Sequence, residues 1–393
     1  MLRRLTALDA LRGAVMIVMA LDHTRDFIHA GAMTFAPEDL TRTTPLLFFT
    51  RWVTHICAPT FMWLAGAGAF LRLERDKSKP RLSRFLVTRG MWLIAVELIV
   101  MRLGMNFSLS LANPLFLIVL TALGLSMIVL AALIYLPRAW LLPLCMAVIA
   151  LHNLLDPIQA DRFGAFSGVW DLLHQPGVFM LGPLPIFVAY PLVPWFAVMA
   201  LGFAMGPVLL LDDVRRRRIL LTTGIALTVG FVLVRAVNVY GDPSPWSRQA
   251  SPVFTILSFL RTTKYPPSLQ FLMMTLGPAF IVLAVLDRLA IASTSILSVI
   301  GRVPFFFYVV HFWIIHVVEA VLSYVRYGRA SFTFLFHPLP SMGGPRDLFG
   351  QNFGYPLWVV YVVWIGVVAG VYPLCWWFAE MKRRRTDWWL SYL

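Results

Sequence analysis

The first apolar segment of the chain carries ionisable side chains at two depths. Asp9 and Arg12 are three residues apart, so they can form an ion pair on one face of a helix. Asp22 and His23 follow, and His23 lies eleven residues, about three turns or roughly 16 Å, beyond Arg12 on the same face. Ionisable groups are costly at bilayer depth unless paired or hydrated, and an imidazole can serve as a general base near neutral pH. The pattern indicates a functional site, with an anchoring ion pair and a structural histidine as the alternative.

The second and third apolar segments add a histidine and a cation. His55 lies at a depth comparable with His23, so the two can share a proton-transfer role, although a structural role for His55 is equally consistent. Arg89 lies about one and a half turns inside the third segment, and Glu97 follows eight residues later near the same face. Arg89 can present its guanidinium to a phosphate entering from the cytosol, or it can snorkel or pair with Glu97. Both interpretations stay open.

Polar residues also mark the later segments. Arg302 lies near the start of the ninth segment, and Lys264 precedes the eighth. His311 and His316 differ by five positions, which is poor spacing for one helix face, and the three cysteines lie in apolar segments without metal-ligand spacing. The sequence therefore predicts no metal site.

The composition identifies the solvent of these segments. With 59% hydrophobic and 13% charged residues, the chain is far more apolar than a soluble domain. Stretches of about 20 apolar residues predict membrane-spanning helices. We predict an all-α fold, a polytopic integral membrane helical bundle of about ten transmembrane helices that forms a single domain over residues 1–393. The predicted helices cover residues 8–30, 46–72, 83–103, 113–136, 139–154, 183–211, 218–238, 266–287, 294–324 and 356–381.

Charge is distributed unevenly between the connections of these helices. One set is short and basic; it contains Arg3 and Arg4, residues 72–84, Arg138, residues 215–218, Arg288 and residues 382–385. The other set is longer and mixed in charge; it comprises residues 31–45, 155–182, 239–265 and 325–355. The positive-inside rule places the basic set and both termini in the cytoplasm. Topology thus explains the net charge of +14, so we predict no nucleic-acid partner, and the charged first helix is expected to be retained rather than cleaved as a signal peptide.

Several of the ionisable residues belong to longer motifs. Leu8-Asp9-Ala10-Leu11-Arg12-Gly13, followed by Asp22-His23, resembles the opening motif of the transmembrane acyltransferase superfamily. Residues 58–66, the third helix with Arg84 and Arg89, and residues 301–308 resemble its later motifs. Within the superfamily, the chain looks most similar to the bacterial heparan-alpha-glucosaminide N-acetyltransferase-like membrane proteins.

This resemblance implies a reaction and a location. The expected reaction moves an acyl group, such as acetyl, from cytosolic acyl-CoA to a hydroxyl or amine on the opposite side of the membrane. The acceptor is expected to be a glycan or envelope component, and the location the bacterial inner membrane. Acyl-CoA is then a co-substrate, and no tightly bound cofactor is expected.

The resemblance also implies roles for individual residues. Arg12, Arg89 and Arg302 match cation positions near the CoA phosphates. His23 matches the catalytic histidine, oriented by Asp22. The remaining expected site residues are His55 as a catalytic partner and Asp9, Glu97, Lys264 and His311 in supporting roles.

One departure from the family pattern affects these roles. The lysosomal N-acetyltransferase uses a histidine between its first two helices, whereas residues 31–45 here contain none, and His55 stands where that enzyme has an aspartate. The catalytic role therefore depends on His23, either as a base for direct transfer or through a transient acyl-histidine.

Two other function classes compete with an enzyme. A proton-coupled transporter or flippase of an anionic or sugar-linked solute would use the same buried charges as a proton relay or anion path, although the sequence contains no detectable inverted repeat. A non-catalytic scaffold would leave the buried charges unexplained.

Overall fold

The protein is predominantly helical. A computed structural model describes residues 5–111, 113–349, 353–385 and 387–392, with 73% helix. Arg3 and Arg4, which begin the predicted cytoplasmic set, lie outside the described residues. The helices are α1 (Thr6–Ile28), α2 (Pro45–Trp52), α3 (Cys57–Asp76), α4 (Lys79–Val96), α5 (Arg102–Asn106), α6 (Val119–Leu133), α7 (Arg138–Leu151), α8 (Ser167–Leu173), α9 (Leu192–Ala204), α10 (Asp213–Val237), α11 (Pro252–Leu260), α12 (Leu269–Arg288), α13 (Ile296–Arg302), α14 (Pro304–Tyr327) and α15 (Leu357–Arg384). The strands are β1 (Leu115–Leu117), β2 (Gly177–Leu181) and β3 (Leu184–Val188).

The predicted all-α polytopic bundle is confirmed. Seven helical stretches among the described residues are long and apolar enough to cross a membrane: Pro45–Asp76, Arg138–Leu155, Leu192–Leu210, Asp213–Val237, Leu269–Arg288, Pro304–Thr333 and Leu357–Arg384. The other three predicted spans correspond to α1 and α4, which carry more charged residues, and to α6, which is shorter. Each predicted span therefore contains a helix.

Two predicted helices begin as strands instead. The segments predicted at 113–136 and 183–211 start with β1 and β3, which pair in parallel. β2 pairs antiparallel with β3 through a turn at Gly182, whose φ of +60° suits a residue without a side chain. Aromatic and β-branched side chains together with nearby prolines favour extended backbone here, so the helices begin only after the strands.

The predicted ninth helix is divided in two. Pro304 cannot donate a backbone N–H to the helical ladder, and α13 ends at Arg302 just before α14 begins at this proline. Tyr308 and His311, on the first turns of α14, are both buried. The break therefore separates a cation at the end of one helix from inward-facing polar residues on the next.

α1 lies at the centre of the bundle, in contact with α3, α12, α13, α14 and α15. Its crossing with α13 is close because each helix presents a glycine. A Cβ atom at Gly13 would overlap the carbonyl oxygen of Leu297, and one at Gly301 would overlap the carbonyl oxygen of Asp9. Small residues allow membrane helices to approach in this way, and the contact fixes the position of Asp9 and its neighbours relative to Arg302.

The crossing of α1 and α13 predicts a large effect of a single methyl group. Gly13→Ala is expected to destabilise the protein by about 1 to 3 kcal/mol, because the two backbones must separate. The midpoint of thermal unfolding in a fixed detergent measures the change. Gly366→Ala is the matched control, because a Cβ there meets no atom within 4 Å. Equal unfolding temperatures for Gly13→Ala and the wild type would contradict the close crossing.

Glu97 has a structural position that its sequence spacing does not reveal. It lies in a π-helical turn after α4, and its carboxylate accepts hydrogen bonds from the backbone N–H groups of Ile118, Leu120 and Thr121 at 2.8, 2.8 and 2.9 Å. These groups open α6, whose first turn has no cap of its own. The interpretation in which Glu97 pairs with Arg89 is therefore wrong, because Glu97 faces the start of α6.

The capping contact predicts that Glu97→Gln reduces stability by about 1 to 3 kcal/mol, since an amide offers one acceptor oxygen where three N–H groups converge. Thermal unfolding measures this loss. Glu380→Gln is the control, because Glu380 pairs with Arg383 and Arg384 at the exposed end of α15. A Glu97→Gln variant as stable as the control would refute the capping role.

Candidate active site

Two cavities enter the bundle along α1. The first, of about 850 Å³, is lined by Asp9 and by a set of cations, and is called the basic cavity. Its cations are Arg12, Arg72, Arg75, Arg89, Arg302, Lys382 and Arg383. The second, of about 710 Å³, lies toward the end of α1 and is called the histidine cavity. Its ionisable lining residues are Asp22, His23, Arg25, Asp26, Glu38, Arg51, Tyr190, Arg261, Lys264, Tyr265, Tyr308 and Arg346.

The basic cavity brings together cations that are distant in sequence. Arg12 donates to Asp9 at 3.2 Å, as their spacing predicts, and to the carbonyl oxygen of Gly301 at 3.1 Å. Arg89 donates to the carbonyl oxygen of Ser391 at 2.6 Å. The Nε atom of Arg302 is buried without a hydrogen-bond partner among the described residues. Asp9 is the one carboxylate that lines this cavity in the described part of the chain, so its lining is strongly positive.

His23 is oriented by another histidine. Its Nδ1 lies 2.9 Å from Nε2 of His311, and the two rings stack at 5.1 Å. Nδ1 of His311 lies 2.7 Å from the carbonyl oxygen of Phe307. Because a carbonyl oxygen only accepts, Nδ1 of His311 carries a proton, and in the neutral ring Nε2 must accept from Nδ1 of His23. Nε2 of His23 is then the unprotonated nitrogen, in a side chain that lines the cavity.

Asp22 does not orient His23 in this arrangement. Its carboxylate pairs with Arg25 at 2.7 Å and also with Arg51. Arg51 in turn donates to Glu38 at 2.9 Å. A cation stabilises a buried carboxylate more than a neutral imidazole does. Arg25 on α1 and Arg51 on α2 supply two such cations. The expectation that Asp22 orients His23 is corrected accordingly.

His55 has a different partner from the one predicted. Its Nε2 lies 3.1 Å from Glu38, and its ring packs against Phe271. Although burial alone would raise the pKa of Glu38, the Arg51 guanidinium and the hydrogen bond with His55 hold that pKa well below its usual range. His55 therefore supports the Glu38 carboxylate, and it is His311 that pairs with His23.

The sequence analysis did not single out Glu38. It lies in the connection at 31–45, which contains no histidine. The available signal was the spacing of Arg51 and His55, four residues apart, which places two potential partners of a carboxylate on one helix face. The position of the carboxylate itself depends on how the connection folds back.

Lys264 lies at the histidine cavity, away from the basic one. It is 9% exposed, and its Nζ lies 5.2 Å from the ring centroid of Tyr265. The tyrosine hydroxyls of Tyr190 and Tyr265 lie 3.4 Å apart nearby. A cation and an aromatic pair thus face the same space as His23.

Only a thin layer separates the two cavities. Tyr308 and Val119 line both of them, and these two residues are called the partition. Tyr308 is 4% exposed and lies edge-on to His23, with ring centroids 6.0 Å apart. A group that crosses the partition from the basic cavity would therefore arrive beside the imidazole.

Comparison with known proteins assigns a family. Residues 4–238, more than half of the chain, match the family described as heparan-alpha-glucosaminide N-acetyltransferase, catalytic. A search of curated proteins gives no match. The matched span includes Arg12, Asp22, His23 and Arg89, whereas Arg302 and His311 lie beyond it. The chain therefore belongs to the heparan-alpha-glucosaminide N-acetyltransferase catalytic family, and it is an integral membrane protein of the acyltransferase type.

Proposed function

We propose that the protein transfers an acyl group, such as acetyl, from cytosolic acyl-CoA to a hydroxyl or amine on the opposite side of the bacterial inner membrane. The observation that carries the proposal is the partition, which has a cation-lined cavity on one side and an oriented histidine on the other. The phosphates of acyl-CoA suit the basic cavity, and a glycan or envelope acceptor suits the histidine cavity. The positive-inside rule puts the basic cavity on the cytoplasmic side.

Donor binding follows from the chemistry of the basic cavity. Arginine guanidinium groups bind phosphate oxygens in bidentate fashion, and Arg302 has a buried Nε without a partner among the described residues. Arg12 is held by Asp9 and Gly301, which fixes its direction before the ligand binds. Thioester insertion through the partition would bring the acyl carbon to His23.

The transfer step requires one base. Nε2 of His23 accepts the proton of the acceptor hydroxyl or amine while that oxygen or nitrogen attacks the thioester carbonyl. The bond from the acyl carbon to the acceptor forms, the carbon–sulfur bond breaks, and the imidazolium returns the proton to the CoA thiolate. His311 acts as a positioning residue, because its Nε2 accepts from Nδ1 of His23 and stabilises the imidazolium. A variant with an acyl-histidine intermediate uses the same nitrogen as nucleophile.

A transporter or flippase remains the second candidate, because one observation favours it. Two cavities that nearly meet at a thin partition also suit alternating access to a central site. The two functions differ in what they do to acyl-CoA, since a transporter of an anionic or sugar-linked solute would not cleave the thioester.

The basic cavity predicts that Arg302→Gln and Arg89→Gln each weaken acetyl-CoA binding by about tenfold, the loss expected for one charge-assisted hydrogen bond. Calorimetry on the purified protein in nanodiscs measures the affinity. Arg288→Gln is the control, because Arg288 lies on the same predicted side but outside both cavities. A folded wild-type protein that binds no acetyl-CoA would refute the proposed donor and favour the transporter.

The histidine pair predicts different losses for its two members. His23→Ala is expected to lower kcat by about 10²-fold to 10⁴-fold, the usual contribution of a general base, while acetyl-CoA binding persists. His311→Phe should lower kcat and shift the pH profile, whereas His311→Gln, whose amide oxygen can still accept from His23, should recover much of the activity. Acetyl transfer or hydrolysis at saturating acetyl-CoA provides the rate.

Two results would overturn these roles. If the His23→Ala variant turned over at the wild-type rate, His23 would not be the catalytic base. Equal rates and pH profiles for His311→Phe and His311→Gln would show that His311 fills space rather than positions the base.

A further inference from the structure

The histidine cavity contains more positive charge than its own carboxylates neutralise. Its carboxylates are Asp22, Asp26 and Glu38, and each forms an ion pair with Arg25 or Arg51. Three further cations line the cavity, and among the described residues none of them forms an ion pair: Arg261, Lys264 and Arg346. The cavity therefore has an excess of cations after its internal pairs are formed.

Lys264 is the most buried of these unpaired cations. It is 9% exposed, whereas Arg261 and Arg346 are exposed. Its charge interacts with the Asp22 carboxylate, but that carboxylate lies beyond ion-pair distance and is already paired with Arg25 and Arg51. A buried ammonium group without an ion pair of its own lowers stability, so a ligand that supplies an anion best explains its position. The neighbouring ring of Tyr265 contacts the ammonium group but does not neutralise it.

The backbone around Lys264 is held from two sides. Asp242 accepts hydrogen bonds from the N–H of Thr263 at 2.8 Å, from its hydroxyl at 3.0 Å, and from the hydroxyl of Ser268 at 2.6 Å. Arg235 donates to the carbonyl oxygen of Arg261. The side chains of Arg235 and Asp242 are each 1% exposed.

These buried contacts fix the segment before any ligand arrives. They act on the backbone at Arg261 and Thr263 and on the hydroxyl groups of Thr263 and Ser268, so the residues on both sides of Lys264 fix its position. Such preorganisation is typical of a binding site and is unnecessary for a surface lysine.

Aromatic side chains complete the surroundings. Tyr190 and Tyr265 meet edge to face, with ring centroids 5.1 Å apart, and both line the histidine cavity. Phe187, on β3, lines it as well. Apolar ring faces beside a cation suit a sugar ring that carries an acidic substituent.

We propose that the histidine cavity selects acceptors that carry an anionic group, a carboxylate or a phosphate, and that this group binds Lys264, with Arg261 and Arg346 at the outer edge. This inference rests on the proposed acyl transfer, since it assigns the acceptor of that reaction. The anion is held at Lys264 while a hydroxyl or amine of the same molecule reaches Nε2 of His23. The shared chemistry is an anion on a sugar-sized molecule, whether it comes from an acidic sugar or from a phosphorylated one.

Three sugars that differ at one carbon test the proposal: methyl glucoside, methyl glucuronide, which has a carboxylate at that carbon, and methyl glucoside 6-phosphate. Acetyl transfer to each, and inhibition of acetyl-CoA hydrolysis by each, are measured on the full chain in nanodiscs. We expect at least one anionic sugar to be preferred over methyl glucoside by roughly tenfold or more in kcat/KM or inhibition constant. Preference for the glucuronide indicates an acidic sugar as the natural acceptor, and preference for the phosphate indicates a phosphorylated one.

Variants of Lys264 identify the residue responsible. Lys264→Gln should remove the preference, Lys264→Arg should retain it, and Arg248→Gln, an exposed cation of the same connection outside the cavity, should leave it unchanged. Acetyl-CoA binding by each variant shows that it is folded and that the basic cavity is intact.

Failure of this inference is distinguishable from failure of the proposed function. Absent acetyl-CoA binding or cleavage in the wild type overturns the acyltransferase and this inference together. Binding and cleavage without any preference for the anionic sugars, or with a preference that survives Lys264→Gln, overturns the anionic acceptor alone.

Discussion

The cost of an isolated charge inside an apolar bundle determines how the centre of this protein is arranged. Asp22 and Glu38 would each be unfavourable without cations, and Arg51 lies between them and pairs with both. Nε2 of His55 also contacts the Glu38 carboxylate, at 3.1 Å. Because the carboxylates are occupied in this way, neither pairs with His23, and the imidazole contacts His311 instead. The ion pairs around His23 thus leave a second imidazole as its partner.

Sequence reasoning predicts best what depends on local spacing. The spans follow from hydrophobic length, and the ion pair of Asp9 with Arg12 follows from a separation of three residues. The contact of His23 with His311 joins residues 288 positions apart, and their helices could be rotated in many ways with the same sequence pattern. The partner of Glu97 could not be predicted for a related reason, since a helix face specifies a direction but not the neighbouring helix that it meets. The strands β1 and β3 were not predicted, because a short apolar run next to a proline has the same sequence pattern as the end of a helix.

The close crossing of α1 with α13 links the architecture to the chemistry. Gly13 and Gly301 allow the backbones to touch, and Arg12 then reaches the carbonyl oxygen of Gly301. The family match ends at residue 238, before α13 and α14 begin. The matched part of the chain therefore supplies His23, and the part beyond it supplies His311, whose Nε2 lies 2.9 Å from Nδ1 of His23. Residues beyond the family match thus contribute to the same centre as the matched residues.

The thinness of the partition has an electrical consequence. A transmembrane potential falls mainly across the regions that exclude water and ions, and where two cavities penetrate a bundle that region shrinks to the layer between them. An elementary charge that crosses the full potential changes its energy by about 2.3 kcal/mol per 100 mV. In the proposed topology, the part of that drop between the two cavities would fall across Tyr308 and Val119, beside His23. In that topology, the membrane potential would act on a charge that forms or moves beside this histidine.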